Sequence, residues 1–163
     1  MKKIDTLRAA LVAALPEFQG EPDRLRIWVE NGSAQSRQTA TLAFGFSYRL
    51  NLLLVETASD IALVTLPIFR WLRVNQPDLL APSTTGFDFD VDVLDNGTCD
   101  ILLQLDLTEN VAVAATPDGG WTLDYLAEPD PLLLDGEPLP GMDTAPDLAA
   151  VITHDDAPPW DED

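Results

Sequence analysis

Asp88, Asp90 and Asp92 are the residues best spaced to do chemistry, three carboxylates at alternate positions that invite a calcium ion. An EF-hand loop starting at Asp88 needs Gly at its sixth position and a bidentate Glu at its twelfth. Val93 and Cys99 stand there instead. A spacing of two is the spacing of one face of a strand, so the series reads better as a solvated face. A nucleophilic pair would have to join Cys99 to His154, the single Cys and the single His of the chain. Cys99 opens a strand amid acids, whose charge disfavours a thiolate, and His154 lies in the proline-rich C-terminal stretch. There is no phosphate-cradling glycine loop, nucleophile elbow or His-Glu-x-x-His motif. With 28 acids in 163 residues, neighbouring carboxylates are expected by chance. The chain reads as a non-enzyme with no catalytic, cofactor-binding or metal-ligating residue, and a lone Cys excludes an internal disulfide framework.

Charge is the stronger signal. Residues 1–73 hold all nine Lys and Arg against seven acids, a net of +2, whereas residues 74–163 hold 21 acids and no Lys or Arg. Such a surface repels nucleic acid, whose binding needs cations on phosphates, and repels anionic membranes, so neither is an expected partner. It suits a basic protein surface, because complementary fields steer association and fix its register. Solubility is the plain alternative, although the net charge of −19 exceeds what solubility needs. Arg24, Arg26, Arg49, Arg70 and Arg73 form the basic counterpart. They could pair with acids of their own chain or with the acidic half of a neighbouring copy, and such a head-to-tail contact gives a ring if the rotation closes. The carboxylates at 88, 90 and 92 are a candidate docking face. Trp160, in the sequence Pro158-Pro159-Trp160-Asp161, is a candidate anchor, since Trp is enriched among interface hot spots; the bland readings are a solvated strand and an unstructured end.

The elements that must position these residues follow from periodicity. Leu7, Leu11 and Leu15 recur every four residues and predict an amphipathic helix over about 5–15 rather than a signal peptide. Nothing approaches the roughly 20 apolar residues of a membrane span, which points to a protein made in the cytoplasm and not secreted by the general route. Residues 24–30 alternate as a half-buried strand, with Asn31-Gly32 as its turn. A long strand is expected over 39–56, bending at Gly45, projecting, or pairing outside its own sheet. A second helix over 58–76 should be capped by Ser59 or Asp60 and bury Ile61, Val64, Ile68, Phe69 and Leu72, with Pro67 kinking or restarting it. Hairpins are expected over 86–107, turning at Asp95-Asn96-Gly97-Thr98, and over 110–126. Residues 128–163 hold seven of the 13 prolines, eleven acids and no hydrophobic period. They read as an extended acidic arm, ordered only if it lies on something.

Four blocks in order carry a resemblance: Pro22-Asp23-Arg24-Leu25-Arg26-Ile27, residues 44–54 (FGFSYRLNLLL), residues 70–80 (RWLRVNQPDLL), and the hairpin of residues 88–113 ending LTENVAV. Over about residues 1–127 the chain resembles the phage tail completion protein R family of contractile-tailed phages, prophages and tailocins. The resemblance implies a tail-terminator-like role. Such proteins assemble as rings, typically hexameric, on the last ring of the tail tube, stop polymerisation and present a surface to the head connector or collar. It implies as partners further copies of the chain, the tail tube protein, and beyond these the sheath and neck proteins. It implies assembly in the host cytoplasm and a place in the virion at the head-proximal end of the tail. The family brings no active site. The arm after Ala127 is where the chain departs from it.

The reading that results is an α+β domain over 1–127, mainly antiparallel sheet with one or two packed helices, followed by an acidic C-terminal arm over 128–163. Its function is structural, and its long strand and hairpins could build a ring's continuous inter-subunit sheet, pairing edges that would otherwise be exposed. The alternative is an acidic DNA mimic that occupies a basic nucleic-acid-binding protein.

Overall fold

A computed structural model describes residues 1–37 and 39–129. The acidic arm from residue 130 onward, His154 and Trp160 with it, lies outside the described residues.

Leu7 and Leu11 are fully buried and fix the first helix, α1 (Lys2–Ala14), on the sheet; buried Leu15 and then Pro16 end it. The helix starts earlier than its own sequence indicates because its N-cap is not local. The backbone N–H groups of Lys2 and Lys3 donate to one carboxylate oxygen of Glu109, at 2.8 and 3.3 Å, across more than a hundred residues of chain. An anion at a helix N-terminus satisfies free donors and the helix dipole together.

The second helix, α2 (Ile61–Asn75), begins at Asp60, whose Oδ1 accepts from the Ala62 N–H at 2.7 Å. It buries Val64, Ile68, Trp71 and Leu72. Phe69, expected in the core, instead turns to a flank at 39% exposure and packs on Phe87, with ring centroids 5.2 Å apart. Trp71 takes the buried place, its indole N–H donating to Thr6 Oγ1 at 3.1 Å. The helix runs on through Pro67 rather than restarting there. The carbonyl that Pro67 deprives of a partner belongs to exposed Leu63, where water can replace it.

Five antiparallel strands form the sheet: β1 (Leu25–Ser36), β2 (Phe44–Thr57), β3 (Asp88–Val93), β4 (Cys99–Ala115) and β5 (Trp121–Tyr125). The order is β1-β2-β4-β3, with β5 also on β4. The α+β architecture read from periodicity is therefore present, with two differences. Asn31-Gly32 does not turn the chain. Glu30 pairs with Arg49 and Ser33 with Ser47, so both residues face Tyr48 alone, and Asn31 spends its positive φ of 52° on a bulge. The strand continues to Ser36 and the turn falls at 37–43. Second, the two expected hairpins share one strand. β4 pairs with β2 along one edge, and with β3 and then β5 along the other.

Gly45 does not bend β2, since pairing passes through it to Gln35 on one side and Asn110 on the other. A Cβ there would stand 2.8 Å from Asn110 Oδ1 and 3.3 Å from the Glu109 carbonyl oxygen, so close strand approach explains the glycine. The core lies between the two helices and one face of the sheet. Leu50, Leu52 and Leu54 of β2 meet Ile101, Leu103, Leu105 and Leu107 of β4, all essentially inaccessible. Each such side chain contributes about 1.5–3 kcal/mol on burial.

Candidate interaction surfaces

The face of the sheet turned away from the helices is ordered by strand register. One row runs Arg26, Leu53, Leu102, Asp90 from β1 to β3; the next runs Trp28, Asn51, Gln104, Asp88. In these two rows the β1 edge carries a cation and an indole, the middle is apolar or neutral, and the β3 edge carries carboxylates. A third row, Glu30, Arg49, Asp106, adds a carboxylate to β1, where Glu30 Oε1 accepts from the Trp28 indole N–H at 3.0 Å. Gln104 donates to Asn51 Oδ1 at 2.8 Å, while Asn51 Nδ2 is buried without a partner. Asp88, Asp90 and Asp92 project along a strand exposed at every position, and no group of three or more metal-ligating side chains converges among the described residues. Between them Phe89, Val91 and Val93 are exposed on the helix side, Val93 at 78%.

Two of the five candidate arginines are engaged within the chain. Arg49 grips Asp106 in a two-point pair, Nε to Oδ1 at 2.9 Å and Nη2 to Oδ2 at 3.0 Å. That hydrogen bonding holds the Asp106 carboxyl below its usual range. Arg24 meets Glu21 at 2.6 Å, lies 3.5 Å from Glu17, and donates to the backbone carbonyls of Val55 and Glu56, pinning the bulge where Glu56 has a φ of 51°. Burial acts to raise the Glu17 pKa, but hydrogen bonds from Thr57, Ser59 and the Ala58 N–H, with the Arg24 charge, outweigh it and leave the group below its ordinary value. Arg26, Arg70 and Arg73 are exposed, with no carboxylate at ion-pair distance among the described residues. Arg70 and Arg73 share the outer face of α2 with Leu63, Leu66 and Val74, all well exposed. That face carries two cations and no acid.

Two features were not anticipated from sequence. The first is a polar cluster beneath α1. The Tyr48 hydroxyl donates to Glu109 Oε1 at 2.6 Å, and burial with that neighbour pushes its pKa well above the ordinary tyrosine range. Lys3 Nζ donates to Gln76 Oε1 at 2.7 Å and to Glu128 at 2.6 Å. Gln76 also accepts from the Thr108 N–H at 3.1 Å and donates to Thr108 Oγ1 at 3.0 Å, filling a stretch of the β4 edge between β3 and β5. The alternation of β4 held the clue, since Glu109 falls on the same face as Leu103, Leu105 and Leu107. The second is an apolar wing. Beyond the helices Phe44, Val111 and Tyr125 lie in one row, Val113 pairs with Leu123 and Ala115 with Trp121. Trp121 and Leu123 are about 60% exposed.

Comparison with known proteins places the chain. The sequence profile described as P2 phage tail completion protein R (GpR) matches residues 1–129. The tail completion protein R of Escherichia phage P2 is 37% identical over 134 residues, covering 80% of this chain and 86% of that protein. No solved structure matches. No helix among the described residues is long and apolar enough to cross a membrane. By the extent of these matches, the chain belongs to the phage tail completion protein R family.

Proposed function

We propose that this chain completes a phage tail as a structural ring, most simply a hexamer, that seats on the head-proximal end of the tail tube. The ring blocks addition of further tube subunits and offers its other side to the head connector, with sheath or collar proteins around it. Assembly takes place in the host cytoplasm, and the ring stays in the virion tail. The molecule works through complementary surfaces and turns over no substrate.

The observation that carries this reading, beyond family membership, is that one sheet ends unlike on its two sides, in β1 on one and in β3 and β5 on the other, while separate apolar surfaces remain on the wing and on the outer face of α2. Unlike edges favour head-to-tail contacts, and such contacts form a ring where the rotation closes. The remaining surfaces are then free for the axial neighbours, tube on one side and connector on the other. Exposed Phe89, Val91 and Val93 beside the carboxylates also suit a protein contact better than an imitation of phosphate.

Electron microscopy of particles assembled without this protein tests the proposal. Tails of abnormal length, or tails without heads, are expected. Normal particles would overturn it.

A further inference from the structure

We propose that the partner of the β1 edge is the β3 edge of a second copy, added as an antiparallel strand. This rests on the ring reading above and specifies its contact. β1 and β3 are the two ends of the strand path. Apart from the Leu25 carbonyl, which accepts from Arg8 Nη2 at 3.0 Å, neither outer edge is hydrogen-bonded to anything else among the described residues. Both strands are long enough to pair, largely exposed, and free of proline and lysine, the usual edge guards.

The two edges match on both faces at once. On the open face β1 offers Arg26 and Trp28, with Glu30 beyond them, and β3 offers Asp88, Asp90 and Asp92. On the helix side β1 offers Ile27 and Val29, and β3 offers Phe89 and Val91, with Phe87, packed on Phe69, just before it. Side chains alternate with period two, so a slip of one residue would drive the carboxylates onto the apolar side. Among the allowed registers, placing Arg26 opposite Asp90 sets Ile27 against Phe89 and Val29 against Phe87, and keeps Glu30 clear of Asp88. Strand direction agrees. β1 runs opposite to β2, β2 to β4 and β4 to β3. A copy related by rotation about an axis along the strands therefore brings its β3 antiparallel to β1. Pairing of β3 with itself is disfavoured, because β3 against β3 would oppose carboxylates with carboxylates. The acidic ladder thereby favours an edge that offers a cation, as β1 does at Arg26.

Cysteine pairing and charge exchange test this on the full-length chain, alone at rising concentration and with purified tail tubes. In a Cys99→Ser background, Arg26→Cys with Asp90→Cys is expected to give an oxidised ladder of covalent oligomers. Arg26→Cys with Phe89→Cys, on opposite faces, is expected to give none. Arg26→Glu alone is expected to weaken assembly by about tenfold, and Arg26→Glu with Asp90→Arg to restore most of it. Circular dichroism confirms that each variant folds. Oligomers by sedimentation with no Arg26–Asp90 ladder and no rescue would overturn the edge pairing while leaving the ring intact. A wild-type chain that stays monomeric both free and on tubes would overturn both.

Discussion

Glu109 joins three parts of the fold through one carboxylate: the first turn of α1, the Tyr48 hydroxyl of β2, and its own strand β4. Removing it uncaps a helix and leaves a buried hydroxyl unpaired, so Glu109→Ala is expected to lower stability by about 2–4 kcal/mol. Urea unfolding checks this, and a loss below about 1 kcal/mol would mean the cap contributes little. Glu17 sets an acid limit. Its folded pKa lies below the ordinary value of 4.5. The unfolded chain therefore takes up a proton first, and the stabilisation present above pH 4.5 is lost as pH falls through the folded pKa. Glu17→Gln is expected to flatten that part of the acid unfolding profile; an unchanged slope would count against it. Asp106 shifts in the same direction but is largely exposed, so solvent screens its share. At this scale the sequence was half legible. It marked the arginines and the carboxylate ladder by charge and alternation. It could not tell that Arg24 and Arg49 are taken up internally, because Val55, Glu56 and Asp106 are brought near only by strand pairing; of their partners only Glu21, three residues before Arg24, is local in sequence.

Strands and helices were legible as elements because their periodicities are local. Leu50, Leu52 and Leu54 announce a buried face without reference to anything else. Boundaries that depend on distant residues were not. Asn31-Gly32 offers positive φ, which serves a hairpin turn and a bulge equally, and only the register with β2 decides between them. Gly45 looked like a bend and is a close approach. Both are testable. Asn31→Gly is expected to be nearly neutral, whereas Asn31→Val should cost about 1–3 kcal/mol, because a β-branched residue resists the left-handed region. Gly45→Ala is expected to cost about 1–3 kcal/mol by overpacking against β4. Adding Asn110→Ala should recover part of the loss, since it removes the 2.8 Å contact but leaves the Glu109 carbonyl at 3.3 Å. Equal thermal stability of the single and double variants would show that the strands separate to make room.

At the scale of the whole molecule, the charge asymmetry of the sequence becomes geometry: a cationic helix face, an edge that carries Arg26 and Glu30, and an acidic edge. The outer face of α2 holds Arg70 and Arg73 among exposed leucines, so Arg70→Glu with Arg73→Glu is expected to reduce tail completion without unfolding the chain. Unchanged tail length and infectivity would remove that face from the interface. The boundary between folded domain and arm can be tested at a smaller interaction. Sequence composition places the start of the arm at residue 128, and Glu128 pairs at 2.6 Å with Nζ of Lys3, whose side chain is only 8% exposed. A chain ending after Pro129 keeps that pair; one ending after Ala127 leaves Lys3 with Gln76 alone. The first truncation is expected to melt within a few degrees of the full chain. The second should lose about 1–2 kcal/mol, the cost of stripping one partner from a largely buried ammonium. If the two truncations melted alike, Lys3 would be satisfied without Glu128, and the boundary read from composition would stand.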